Sequence, residues 1–79
     1  MSNYRVRFEG PAALTLCVAT ALADADGVEL ISSDQPVPIG ENIVALNVTV
    51  EGAFDAVTDA VASIRGGMPT EALIEISGG

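Results

Sequence analysis

The amino-acid sequence predicts an α+β fold, in which a four-stranded antiparallel sheet carries two helices on one face. The hydrophobic period switches twice along the chain, from the two-residue period of a strand to the three-to-four-residue period of a helix. In addition, "VRFEG" at Val6–Gly10 is matched by "VTVEG" at Val48–Gly52, and both stretches run into alanine-rich sequence. The chain therefore repeats one strand-to-helix corner. Its 79 residues are expected to form one domain, 1–79, because so short a chain cannot divide into two cores.

The first half of the chain is predicted to be a strand, a helix and a second strand. "YRVRFE" (Tyr4–Glu9) alternates apolar and polar residues, as a half-buried strand does. Pro11 suits the first position of a helix, and Gly27 suits its end because glycine takes the left-handed conformation readily. "VELIS" (Val28–Ser32) is the short second strand. The helix between them is expected to bury its apolar residues Leu14, Val18, Ala21, Leu22 and Ala25.

The second half repeats this order after an irregular stretch. Ser33–Asn42 contains two prolines and is predicted to be a loop or a ragged hairpin end. "IVALNVTV" (Ile43–Val50) has the clearest strand pattern in the chain. A helix over Ala53–Arg65 and a strand over Ala72–Ser77 complete the half. The apolar face of this helix is predicted to consist of Phe54, Val57, Val61 and Ile64.

Two right-handed strand-helix-strand units of this kind, when interleaved, form a ferredoxin-like βαββαβ sandwich. The glycines of the repeated corner, Gly10 and Gly52, are expected to permit the abrupt change of chain direction. Residues 77–79 at the end of the last strand are expected to be flexible.

The composition excludes several kinds of chemistry. Eleven carboxylates face three arginines, and there is no lysine or histidine, so the net charge is −8. This charge repels nucleic-acid phosphates, and imidazole or lysine catalysis is impossible. Cys17 is the only cysteine, which excludes a disulfide and a cysteine metal site, and it is expected to lie in or near the core. We therefore expect no enzymatic activity, no cofactor and no metal.

The chain lacks an apolar run long enough for a membrane span or a signal peptide, so the expected location is cytoplasmic and no membrane partner is expected. Its richness in alanine, valine, glycine and aspartate without lysine fits a high-GC genome.

The sheet face opposite the helices is predicted to be a dimer face. Arginines on its first strand are expected either to pair across strands with Glu75 or Glu29, or to meet a second subunit. The aromatic residues that stack RNA bases in this fold are absent from that face. Because the core is small, we expect a homodimer that uses this face. The predicted dimer-face residues are Arg5, Arg7, Ile31, Ala45 and Leu73.

The pattern resembles that of ACT-type regulatory domains. The resemblance rests on "VRFEGPAAL", "VELIS", "IVALNVTV" and "AFDAVTDAVASI", which together cover most of the chain. It implies a βαββαβ module that forms dimers and holds a small metabolite near the turn after the first strand. The ligand-binding positions implied by the resemblance are Glu9, Gly10, Pro11 and Ala12.

Two other functions remain open. An acidic interaction module or inhibitor would mimic nucleic-acid charge and bind a basic protein partner, as some phage-encoded antagonists do. Its partner-binding residues would be Asp24, Asp26, Glu29, Asp34, Asp55 and Asp59. The C-terminal Gly78-Gly79 also resembles the end of ubiquitin-like and sulfur-carrier proteins, although those proteins open with a hairpin before their helix.

Overall fold

A computed structural model describes residues 2–69 and 72–78 of the chain. Within these residues it contains two α-helices and an antiparallel sheet of five strands, and a short 3-10 turn (Ala12–Leu14) leads into the first helix. Each predicted helix and strand is present, with ends that shift by a few residues. The elements are β1 (Ser2–Pro11), α1 (Thr15–Asp24), β2 (Val28–Ser33), β3 (Val37–Gly40), β4 (Ile43–Gly52), α2 (Phe54–Gly66) and β5 (Leu73–Gly78).

The sheet has the strand order β2-β4-β1-β5, and every pair is antiparallel. β1 and β4 form its centre and pair along their whole length. Phe8 of β1 lies opposite Leu46 of β4 on one side and opposite Ile74 of β5 on the other. The two halves of the sequence are therefore interleaved, because each central strand comes from a different half.

Both helices share one hydrophobic core with one face of the sheet. The sheet contributes alternate residues of its strands, α1 contributes Val18 and Leu22, and α2 contributes Val57 and Val61. Burying an aliphatic or aromatic side chain fully stabilises a fold by about 1.5–3 kcal/mol, so these contacts hold the helices on the sheet. The buried sheet residues of this core are Val6, Phe8, Val28, Leu46, Val48, Val50 and Ile74.

β3 is a fifth strand where the sequence predicts a loop or a ragged hairpin end. Val37 lies opposite Ala45 of β4, and Pro38 lies opposite Val44. The Asp34 N–H donates to the Asn47 carbonyl, so the odd-numbered residues of β4 direct their peptide groups toward this edge. Pro38 consequently faces outward, where a missing N–H costs no ladder hydrogen bond. A proline at an outward edge position is thus compatible with a strand.

The helices bury fewer residues than their hydrophobic periods predict. Phe54 is 57% exposed, because it is the first residue of α2 and its ring lies beside that of Tyr4 at the rim of the core, with the ring centroids 5.7 Å apart. Ala21 is also exposed. Cys17 lies on the exposed side of α1, so the prediction that it is a core or near-core residue is wrong. Hydrophobic spacing identified these helices but overestimated the width of their buried faces.

The glycines of the repeated corner have a different role from the predicted one. Among the described residues, positive φ values at glycine occur at Gly27 (77°) and Gly78 (101°), and not at Gly10 or Gly52. A Cβ on Gly10 would lie 2.8 Å from Cζ of Phe8, and a Cβ on Gly52 would overlap the carbonyl oxygen of Gly27. These two corners therefore need glycine because neighbouring atoms leave no room for a side chain.

The predicted flexible end at 77–79 falls partly within β5, which includes Ser77 and Gly78. Gly79, the last residue of the predicted carrier-type tail, lies outside the described residues.

Candidate functional site

The sheet face opposite the core is open, because both helices pack on the other face. Cross-strand register places Thr49, Arg5 and Ser77 in one row on this face, and Asn47, Arg7 and Glu75 in the next. A third row contains Val37, Ala45, Glu9 and Leu73. The face is therefore polar along its middle rows and apolar at the two edges of the third row.

Four of the five residues predicted for the dimer face are available on the surface. Arg5 and Arg7 are exposed, Ile31 is 48% exposed and Leu73 is 46% exposed. Ala45 is only 4% exposed, since it lies between Val37 and Glu9 on the neighbouring strands. Ala45 can therefore add little contact area to an interface.

Two further apolar residues in β3 enlarge the exposed apolar surface at this edge. Val37 is 57% exposed and Ile39 is 50% exposed. The sequence prediction missed them because it assigned their segment to a loop. The available signal was the pair of β-branched apolar residues at 37 and 39, and the prolines at 36 and 38 obscured it.

The arginines of β1 do not form the predicted cross-strand pairs. Nε of Arg7 donates to the Glu9 carboxylate at 2.7 Å, along the same strand, although Glu75 lies directly opposite Arg7. The two side chains are 44% and 31% exposed, so the ion pair contributes at most about 1 kcal/mol. It orders both side chains on the open face more than it stabilises the fold.

The four positions at which an ACT-like ligand is expected follow one another from the end of β1 into the 3-10 turn. The Glu9 carboxylate is occupied by Arg7, and Gly10 is buried against Phe8 and Ala72. Pro11 pairs with Ile43 at the end of β1, and Ala12 is exposed at the start of the 3-10 turn. An ammonium group that approached Glu9 would have to compete with the Arg7 guanidinium.

A shallow cavity of about 190 Å³ lies between the first turns of α1 and the segment that joins β2 to β3. Leu16, which is 75% exposed, contributes to its wall, and so does Asp34, one of the predicted partner-binding carboxylates. The complete lining is Thr15, Leu16, Ala19, Ser33, Asp34, Pro36 and Leu46.

A second cavity brings together three of the six predicted partner-binding carboxylates. It has a volume of about 520 Å³ and is lined by Asp26, Asp55 and Asp59, with four alanines between them. The alanines are Ala25, Ala53, Ala56 and Ala60. The three carboxylates are exposed, and they lie where α2 meets the turn after α1.

The other predicted carboxylates lie elsewhere. Glu29 lines a cavity with Glu51 at the β2 edge, Asp34 lines the cavity beside α1, and Asp24 is exposed at the end of α1. The six residues therefore do not form one continuous acidic surface. Within the part of the chain that the structure describes, no group of three or more histidine, cysteine, aspartate or glutamate residues is placed to hold a metal ion.

Comparison with protein-family models finds no match for this chain, and a search of curated proteins finds no significantly similar sequence. Among the described residues, no helix is both long and apolar enough to cross a membrane.

Proposed function

We propose that this chain is a non-enzymatic binding module that forms a homodimer through the open face of its sheet. The observation that carries the proposal is the third row of that face, which has exposed apolar residues at both edges, Val37 on one side and Leu73 on the other. A second copy on this face would remove the exposed parts of both side chains from water, which is favourable.

The row is self-complementary about a two-fold axis that runs along the strands. With the order β2-β4-β1-β5, such an axis brings β1 over β4 of the second copy and the β5 edge over the β2–β3 edge. Leu73 then meets Val37 of the other copy. Arg5 and Arg7 meet the neutral residues Thr49 and Asn47, so the two arginines do not face like charges.

The face is also large enough for a dimer of moderate stability. Four strands spaced about 4.8 Å apart, with up to ten residues at about 3.4 Å each, span roughly 35 × 20 Å before side-chain relief is added. Stable interfaces bury about 800 Å² per partner, which is close to this area once the side chains are included.

Light scattering at high micromolar concentration tests the proposal. Wild-type protein is expected to have twice the monomer mass of 8.0 kDa. Leu73→Asp is expected to be monomeric, because it places a charge in the apolar contact. Leu16→Asp is the matched control: it introduces the same charge at an even more exposed leucine of α1, and it should leave the dimer intact. A monomeric wild type, or a dimeric Leu73→Asp, contradicts the proposal.

We assign the fold to the ferredoxin-like sandwich, with β3 added at its edge. The strand order and the sharing of one core by both helices support this assignment. The sequence resemblance adds an ACT-like regulatory role, in which the dimer binds a small metabolite. An amide NMR titration with pooled amino acids and metabolites tests that role. Shifts confined to residues 9–14 and 36–40 are expected, and a silent spectrum removes the ACT-like role while leaving the dimer unaffected.

A second candidate function is the binding of a basic partner at the acidic cavity. The grouping of Asp26, Asp55 and Asp59 around one cavity favours it. An oligoarginine peptide is a suitable probe, and its affinity should fall steeply between 50 and 500 mM NaCl, values chosen to bracket strong and weak screening. Asp55→Asn with Asp59→Asn should abolish binding, whereas Glu41→Gln, an exposed carboxylate outside the cavity, should not. If both variants lost the same oligoarginine affinity, net charge rather than the acidic cavity would account for the binding.

A further inference from the structure

The two edges of the sheet are protected in different ways. One edge is shared by β2 and β3, where the register shifts between Leu30 and Ser32 and where Pro38 faces outward. A bulge and a proline both prevent an added strand from pairing continuously. The other edge is β5, which has no bulge in its pairing with β1 and no proline between residues 73 and 78.

The peptide groups that β5 presents outward follow from the register. The Asn47 carbonyl accepts a hydrogen bond on the β2 side of β4, so the odd-numbered residues of β4 form their hydrogen bonds on that side. The even-numbered residues of β4 therefore form hydrogen bonds with β1, where their partners are Phe8, Val6 and Tyr4. The alternate residues of β1 then bond to β5. Their partners in β5 are Leu73, Glu75 and Ser77, which leaves Ile74 and Ile76 with outward-facing N–H and carbonyl groups and Gly78 with an outward-facing N–H.

Arg65 occupies one of these outward acceptors. It lies in the last turn of α2, and its Nη2 donates to the Ile74 carbonyl oxygen at 2.9 Å. This contact independently agrees with the register, because a side chain from the helix layer reaches the carbonyl at the outer side of the strand. A charged side chain on an edge is a common means of preventing strand addition.

We propose that the outer edge of β5 is a strand-pairing surface for a second copy of this chain, and that Arg65 keeps it closed. An antiparallel pair of β5 strands centred on Ile76 is self-complementary. The Ile76 N–H of each copy meets the Ile76 carbonyl of the other, and Ile74 lies opposite Gly78. Glu75 lies opposite Ser77, so no like charges are directly opposed.

The side chains at this edge also suit a second copy. Ile74 is 2% exposed, and Ile76 is a half-buried residue packed against the rim of the core. Pairing of two β5 strands would join the two cores through Ile76 and bury its remaining surface. In that register each Ile74 carbonyl must accept from Gly78 of the other copy, and Arg65 occupies this acceptor at both ends of the pairing.

Arg65→Met tests the proposal, because methionine keeps much of the apolar stem and removes both the donor and the charge. Ala62→Met, at an exposed position of the same helix, is the matched control for an added methionine. Light scattering over a concentration series should show that Arg65→Met self-associates about tenfold or more tightly than wild type, because the Ile74 carbonyl can then accept a hydrogen bond from the other copy at both ends of the pairing. Ala62→Met should match wild type.

Hydrogen exchange identifies the surface. In Arg65→Met the Ile76 amide should gain protection as the protein concentration rises, and adding Ile76→Pro should remove both the protection and the extra association. The Ile76 N–H points away from β1, so this proline removes no hydrogen bond of the ladder with β1. If circular dichroism shows that the double variant is unfolded, the concentration dependence of Ile76 amide protection in Arg65→Met alone tests the proposal.

Unchanged association of Arg65→Met, association without protection of Ile76, or protection that does not depend on concentration would each overturn the proposal. The self-association of Arg65→Met is compared with that of wild type. A monomeric wild type would therefore contradict the open-face dimer but would leave the test of the β5 edge unaffected.

Discussion

At the residue scale, glycines that look alike in the sequence are required for different reasons. Gly27 takes a φ of 77° in the turn after α1, which is a conformational requirement. Gly52 is required because its backbone lies against the Gly27 carbonyl, which leaves no room for a Cβ. Gly66, at the end of α2, has no atom within 4 Å of the position that a Cβ would take. Only the neighbouring atoms distinguish these cases.

Gly52→Ala is therefore expected to lower the free energy of unfolding by about 2 kcal/mol or more, because the added methyl group meets a backbone oxygen that cannot rotate away. Gly66→Ala is the matched control and is expected to be neutral or to stabilise the protein by up to about 0.5 kcal/mol. Urea unfolding curves of the two variants measure both values. Equal destabilisation by both would contradict the close approach of Gly52 to Gly27.

At the scale of elements, helix α2 shows where a hydrophobic period stops describing burial. Val57 and Val61 are buried in the core, while Phe54 is mostly exposed and touches the Tyr4 ring at the rim. A side chain in the first turn of a helix extends past the edge of the sheet that the helix covers. The periodic pattern gives the direction of a side chain around the helix but not the end of the surface beneath it.

Val57→Ala is accordingly expected to destabilise the protein more than Phe54→Ala does, although phenylalanine is the larger residue. Removing two methyl groups from the fully buried Val57 should cost about 2 kcal/mol. Removing the exposed Phe54 ring should cost about 1 kcal/mol or less, most of it from the contact with Tyr4. Chemical unfolding of both variants under identical conditions gives the order, and the reverse order would place Phe54 in the core.

At the scale of the whole molecule, the excess negative charge is not offset by buried ion pairs among the described residues. The chain has a net charge of −8, and no charged residue among those described is buried. Acidic and apolar groups lie side by side on the surface: Glu9 lies between Ala45 and Leu73 in the third row, and Asp34 lines one cavity with the exposed Leu16. Repulsion among carboxylates therefore opposes the compact state without being offset by buried ion pairs.

Salt is expected to stabilise the protein, because screening weakens this repulsion over distances longer than about 8–10 Å. Raising NaCl from about 20 to 300 mM at fixed low micromolar protein should increase the midpoint of thermal unfolding by a few degrees. Sucrose of equal osmolality is the uncharged control. A midpoint that falls with salt would indicate that attractive ion pairs, rather than repulsion, dominate the folded state.

The sequence alone determined the kinds and order of the principal elements. Alternation in β1 and β4 and the helical spacing of α1 and α2 are local properties, so their periods are readable without knowing the neighbours. The same alternation puts Val6, Phe8, Leu46 and Val48 on one side of the sheet, which is the core side. Of the residues predicted for the dimer face, Arg5, Arg7, Ile31 and Leu73 are exposed and Ala45 is not, while the dimer itself stays a prediction.

Tertiary structure decided everything that depends on a distant neighbour. β3 is a strand because β4 supplies its partners, and Asp26 joins Asp55 and Asp59 because α2 packs beside the turn after α1. Arg65 of α2 donates to the Ile74 carbonyl of β5. Periodicity predicts the direction in which a side chain points, whereas its contacts depend on which residues the fold brings next to it.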